Sequence, residues 1–95
     1  MYGTVAYLQT QPGAEANLLE QFRAKLPGLV TSYLFRMDAA SNTYYAVVMF
    51  ENKTAYVANA NSPEQHTRYE AMRKLLTAEP EWHDGEVIHN MAYGL

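Results

Sequence analysis

The chain has no cysteine among its 95 residues. That absence removes disulfides, thiolate nucleophiles and sulfur-ligated metals at one stroke, and it fits a reducing compartment. Positive charge is sparse and scattered: Arg23, Lys25, Arg36, Lys53, Arg68, Arg73 and Lys74 stand against ten acidic residues, for a formal net charge of −3. No basic stripe exists to neutralise phosphates, so nucleic acid is not an expected partner. No apolar run approaches the ~18 residues that a membrane span requires. Met1-Tyr2-Gly3-Thr4-Val5 passes straight into strand-like sequence without a basic and then apolar leader, so the expected location is cytoplasmic, with no membrane partner. Gly-rich phosphate loops, a nucleophile elbow and the basic-Gly-Phe signature of an RNA-binding sheet are also missing. With no repeat, low-complexity tract or linker, residues 1–95 are expected to form one domain. A chain of this size buries only about two thirds of its unfolded surface, which leaves a small core.

What the chain does have is a two-part rhythm of strand, helix and strand, given twice. Tyr2–Thr10 is rich in Tyr, Val and Thr and stops at Pro12-Gly13. Leu18, Leu19, Phe22 and Leu26 then recur at helical spacing, predicting a helix over Ala14–Leu26 that ends at Pro27-Gly28. Leu29–Asp38 and Thr43–Phe50 predict an antiparallel pair joined by Ala39-Ala40-Ser41-Asn42. A short helix is expected over Lys53–Asn61. It restarts at Ser62-Pro63-Glu64-Gln65, with Ser62 as cap, Pro63 in the first turn and the Gln65 side chain reaching back as in a capping box. Tyr69, Met72, Leu75 and Leu76 form the stripe of this second segment, which ends near Pro80, and a last strand runs from Trp82 to about Met91. This order predicts an α+β, ferredoxin-like β-α-β-β-α-β domain, an antiparallel sheet with its helices on one face.

The strand colouring predicts more than one copy. An antiparallel sheet with one wet face alternates apolar and polar residues. Here Tyr44, Ala46, Val48 and Phe50 point one way and Tyr45, Val47 and Met49 the other; on the preceding strand Leu29, Tyr33, Phe35 and Met37 oppose Val30 and Leu34. Helices can cover one such face only. Leaving the other in water would forfeit several kcal/mol at ~25 cal/mol per Å², so a homodimer joined sheet to sheet is expected. The alternative is a mixed face whose tyrosines tolerate water.

Candidate site residues are few. His66 opens the restarted helix at the border of the Tyr69/Leu76 stripe, with Arg73 about two turns below on the same edge. Histidine titrates near neutrality, so His66 is the candidate base and Arg73 the candidate anion stabiliser; the alternative for His66 is a passive surface residue. Gln65 lies nearer the stripe's centre, though its capping role accounts for it. Eight tyrosines offer phenolic walls for a flat aromatic ligand, and Tyr7, Tyr33 and Tyr69 join Gln65 as candidate substrate contacts, against plain packing as the alternative. Trp82-His83-Asp84-Gly85 reads as structure, with Trp82 at the edge of the core and Gly85 at a bulge or close approach. His83 and His89 share a strand face but lie about 20 Å apart at ~3.3 Å per residue, too far for one metal ion. No metal and no cofactor are expected.

The strand order, the phrase Val47-Val48-Met49-Phe50-Glu51-Asn52-Lys53-Thr54-Ala55-Tyr56, the Asn61-Ser62-Pro63-Glu64 restart and the closing Trp82–Val87 strand together resemble the dimeric α/β barrel superfamily. Within it, the similarity is to the antibiotic biosynthesis monooxygenase type of domain. The resemblance implies a homodimeric barrel with a cavity in each subunit between sheet and helices. Relatives include cofactor-independent oxygenases of polycyclic phenols, haem-degrading enzymes, small isomerases and members without known activity. At the haem-degrading branch's asparagine, tryptophan and histidine positions this chain has Tyr7, Phe50 and an early His66. The leading expectation is therefore a cofactor-independent monooxygenase-like protein binding a small phenolic or polyketide-like molecule. A non-catalytic ligand-binding or assembly module, or a haem-binding relative, is the alternative.

Overall fold

The computed structural model describes residues 1–92. Its elements run β1 (Tyr2–Gln9), α1 (Glu15–Gln21), β2 (Leu29–Arg36), β3 (Thr43–Phe50), α2 (Lys53–Ala60), α3 (Pro63–Arg73) and β4 (Glu81–Glu86). The strands form one antiparallel sheet in the order β2-β3-β1-β4, with the two consecutive strands β2 and β3 as a hairpin and β1 inserted beside β4. This is the ferredoxin-like α+β arrangement expected from the order of elements. No helix among the described residues is long and apolar enough to cross a membrane.

Strand register sorts the side chains into two faces. Ala6 lies opposite Ala46 and Leu8 opposite Tyr44, and these four pack with Leu18 of α1 and with Met72 and Leu76 into the core. The partner face carries Val5 opposite Val47, Tyr7 opposite Tyr45, and Tyr33 and Phe35 beyond them on β2. No helix covers it: Tyr33 is 63% and Phe35 59% exposed. Gly3 lies where β1 approaches β3 so closely that a Cβ would sit 1.9 Å from the Val48 carbonyl oxygen. The β2–β3 turn closes through Asn42, which takes a left-handed φ of 61°, a conformation asparagine tolerates.

The main differences from expectation are three boundaries and one register irregularity. Helix α1 stops at Gln21 rather than Leu26, its end tightened by bonds from Phe22 to Leu19 and from Arg23 to Glu20. Phe22 packs against the edge of the core, but Ala24 and Leu26 border the open cleft rather than a packed sheet, so the extra turn lacks the tertiary contact that sustains most helices. Helix α3 ends at Arg73, not near Pro80, because the backbone of the next residues turns to β1: Gln11 N–H donates to Leu75, Thr77 N–H to Gln9, and Leu76 bridges Thr10. Strand β4 ends at Glu86, not Met91, since it pairs only with β1, which begins at Tyr2 opposite Glu86. On β2 an irregularity between Leu29 and Thr31 turns Leu29 to the helix side, while Tyr33 and Phe35 remain on the open side.

Candidate functional site

A cleft of about 460 Å³ lies between the sheet's helix side and the α1, α2 and α3 layer. The small residues Ala6 and Ala46 at the sheet's centre leave room that the helices do not fill. Phe22, Phe50, Tyr56, Tyr69 and Trp82 bring aromatic surface to its walls, and Leu26, Leu29 and Met72 bring aliphatic surface. Tyr56 is fixed edge-on to Phe50, with ring centroids 5.7 Å apart, and to Tyr2 at 5.3 Å. Tyr69 and Trp82 stand tilted at 6.3 Å. Such pairs hold rings in defined orientations rather than leaving them to collapse into the space.

Two polar groupings interrupt the apolar wall. On α2 and α3, Asn59 donates to Gln65 Oε1 at 3.3 Å, and Arg68 donates to the same oxygen through Nε at 3.3 Å and Nη2 at 3.2 Å. Arg68 Nη2 also reaches Asn59 Oδ1 at 3.4 Å. This network places a guanidinium on the cleft. The Ser62 cap starts α3 by accepting from Gln65 N–H at 3.1 Å. The expected return bond from the Gln65 side chain is not made, because Ser62 N–H is already bound to the Asn59 carbonyl at 3.0 Å. The released amide turns into the cleft instead.

The second grouping belongs to the sheet and to α2. Tyr56 donates to Asp84 Oδ1 at 2.9 Å, and Thr4 stands directly opposite Asp84 in the β1–β4 ladder. Burial and then the bond to the Asp84 carboxylate push the Tyr56 phenol up to about 12, so it stays a neutral donor at physiological pH. Thr4 comes close enough to temper that rise, yet its Oγ1 is buried without a hydrogen-bond partner among the described residues.

The expected site residues divide. Gln65, His66 and Tyr69 line the cleft. His66 is exposed at the rim, with Nε2 2.9 Å from Glu70 Oε1 one turn on. Tyr69 turns its hydroxyl outward to Glu79 at 2.8 Å, which raises its pKa through that bond first and desolvation second. Arg73 is off the cleft: its Nε is engaged by Glu79 at 2.9 Å. Tyr7 and Tyr33 are corrected outright in placement. Both lie on the open face, Tyr7 against Tyr45 at 5.3 Å and Tyr33 in solvent, since the period-two alternation that brings Ala6 and Leu34 inward sends their neighbours outward.

The closing segment is corrected too. Trp82 is 47% exposed rather than a core edge, and both it and Asp84 line the cleft, whereas His83 alternates to the far face. Thr4, Tyr56, Asn59, Arg68 and Asp84 escaped sequence reasoning. A signal existed for Arg68, three residues after Gln65 on the same helical edge, and for Asp84, two residues after Trp82. Among the described residues no group of three or more His, Asp or Glu is arranged to hold a metal ion.

No family model matches the chain, and no curated protein matches it. Solved structures do. A variant of SnoaB, a cofactor-independent oxygenase from Streptomyces nogalater, superposes with a TM-score of 0.80 over 97% of each chain at 21% identity. The chain shares the fold of this oxygenase. A provisionally assigned antibiotic biosynthesis monooxygenase from Chloroflexus aurantiacus matches at a TM-score of 0.78, with 16% identity and 98% coverage of each chain. Another from Caulobacter crescentus gives 0.78 at 19% identity, covering 93% of this chain and 90% of that one. At such identities the shared fold is what the likeness establishes.

Proposed function

We propose that this protein binds a small aromatic molecule in the cleft between sheet and helices and oxidises it with O₂ without metal or flavin, working as a homodimer. The observation that carries this reading is the aromatic-walled cleft of about 460 Å³, a size and lining suited to a small flat ligand. The printed description of SnoaB as a cofactor-independent oxygenase supports the reaction class. An electron-rich phenolate or enolate would itself reduce O₂. His66 at the rim takes the activating proton, while Gln65 and Tyr69 flank the ligand. Arg68, which lies on the cleft, assumes the anion-stabilising part first given to Arg73.

The dimer reading rests on the open sheet face, where Tyr33 and Phe35 lie beside Tyr7, Tyr45, Val47 and Met49. A second copy presenting the same face would cover it.

Oxygen uptake with a panel of hydroquinones and anthrones, compared between the parent and His66→Ala, tests the reaction. Enzyme-dependent uptake that falls in the variant is expected. Saturable ligand binding without uptake would reduce the protein to a binding module, which is the second reading. The saturation of Gln65 Oε1, Tyr69 and Arg73 by other side chains favours that reading.

A further inference from the structure

We infer that Thr4, Asp84 and Tyr56 form a subsite for the hydroxyl group of an aromatic alcohol. The inference rests on the aromatic-binding reading above and adds to it a second substituent, a hydroxyl distinct from the group that gives its proton to His66, and where that hydroxyl docks.

Three observations converge. Thr4 is 96% buried, being 4% exposed, lines the cleft, and its Oγ1, near the Tyr56 hydroxyl, completes no hydrogen bond among the described residues. Buried hydroxyls are nearly always paired, so one that is unpaired and borders a cavity marks where a ligand atom belongs. Asp84 faces Thr4 directly across the β1–β4 ladder, and cross-strand neighbours on one face have Cβ atoms roughly 4.5–5.5 Å apart, close enough for one small group to bridge both. Tyr56 donates to Asp84 Oδ1, and Asp84, exposed on the edge strand, keeps Oδ2 open to accept from a ligand.

The chemistry that satisfies this set is a hydroxyl. Its oxygen accepts from Thr4 Oγ1–H while its own proton is donated to Asp84 Oδ2, and its aromatic body lies along Trp82 and Phe50. A carboxylate would be repelled by Asp84. A carbonyl or ether could accept from Thr4 but would leave the carboxylate oxygen facing an apolar group. Tyr56, held edge-on by Phe50, fixes the carboxylate's orientation and acts as a positioning residue.

The test compares 1-naphthol with 1-methoxynaphthalene by isothermal titration calorimetry on the full chain, in the parent, Thr4→Val and Asp84→Asn proteins. Each variant is first checked for native circular dichroism. The parent should bind the naphthol at least about tenfold more tightly than its ether, as for loss of one charge-assisted hydrogen bond. Both variants should lose most of that ratio, mainly through weaker naphthol binding. Equal affinities in the parent would overturn the subsite while leaving the aromatic-binding reading standing. So would a naphthol preference that both variants keep. Absence of saturable binding by either probe would defeat that reading and the subsite with it.

Discussion

Replacing Thr4 by valine should stabilise the protein, although it alters a buried position. Thr4 Oγ1 is buried and completes no hydrogen bond among the described residues, and such desolvation costs about 1–3 kcal/mol. Valine keeps the β-branched shape and the strand preference of threonine, and supplies a methyl group where Ala6 and Val48 border the same cleft. Taking the lower end of that range, about 1 kcal/mol, the melting temperature of a domain this size should rise by roughly 4–8 °C. The urea midpoint should move up by about 0.5–1 M for a slope of 1–2 kcal/mol per M. Thr43→Val is the matched control: Thr43 is equally buried at 5% exposure, but its Oγ1 donates to the Ser41 carbonyl at 3.2 Å. Its loss should cost about 1 kcal/mol. Thermal and urea melts of both variants decide the matter. An unchanged or lowered midpoint for Thr4→Val would refute the reasoning, because it would mean the hydroxyl is hydrogen-bonded in solution. A stabilised Thr4→Val protein that also binds aromatic alcohols poorly would be a direct trade of stability for recognition.

Glu15 is held below its usual range first by the hydrogen bond from Arg36, at 2.6 Å, and then by that from Tyr44, and Glu79 likewise by Arg73 and then Tyr69. A lowered folded pKa contributes stability above the unfolded value near 4.5 and loses it as pH falls through the folded one. Urea melts should therefore weaken below about pH 4.5, and Glu15→Gln should flatten that dependence. Tyr56 works in the opposite sense: raised from 10 to about 12, it contributes stability that is full below pH 10 and is lost as pH rises through 12. An absorbance titration of phenolate formation should show a component near pH 12 that vanishes in Tyr56→Phe. Gly3→Ala should destabilise the fold by more than about 2 kcal/mol, since its Cβ would collide with backbone at Val48; a melt within 0.5 kcal/mol of the parent would show that β1 can shift. Phe35→Asp should shift any dimer measured by sedimentation toward monomer, and a monomeric parent would remove the dimer from the proposal.

The architecture was legible because period-two and helical spacings are local. Tyr44 to Phe50 alternate as the sequence predicts, and the Ser62-Pro63 restart is capped as expected. The failures lie where tertiary partners decide. Nothing local shows that residues 75–77 would abandon α3 to bond β1, or that β4 would stop where β1 begins. The site was half legible for the same reason. Gln65 and His66 follow from the restart. Thr4, Tyr56 and Asp84 meet only because β1, β4 and α2 converge, and Arg73 leaves because Glu79, on the loop before β4, claims it. Tyr33 was chosen by residue type, and the sheet's pleat sent it to the other face.

The layer above the cleft is thinly anchored. Helix α2 has no buried residue and α3 has one, Met72, whereas β1 and β3 carry most of the core. What fastens α3 lies at its far end: Met72 in the core, the bonds of residues 75–77 to β1, and the bonds that Tyr69 and Arg73 make to Glu79. Amide hydrogen exchange should therefore be fast across residues 53–68 and slow in β1 and β3, because the helical layer can lift by local opening at far lower free energy than global unfolding requires. A molecule bound beneath it would slow that exchange, and release would be timed by the breathing of the two helices rather than by a fixed channel.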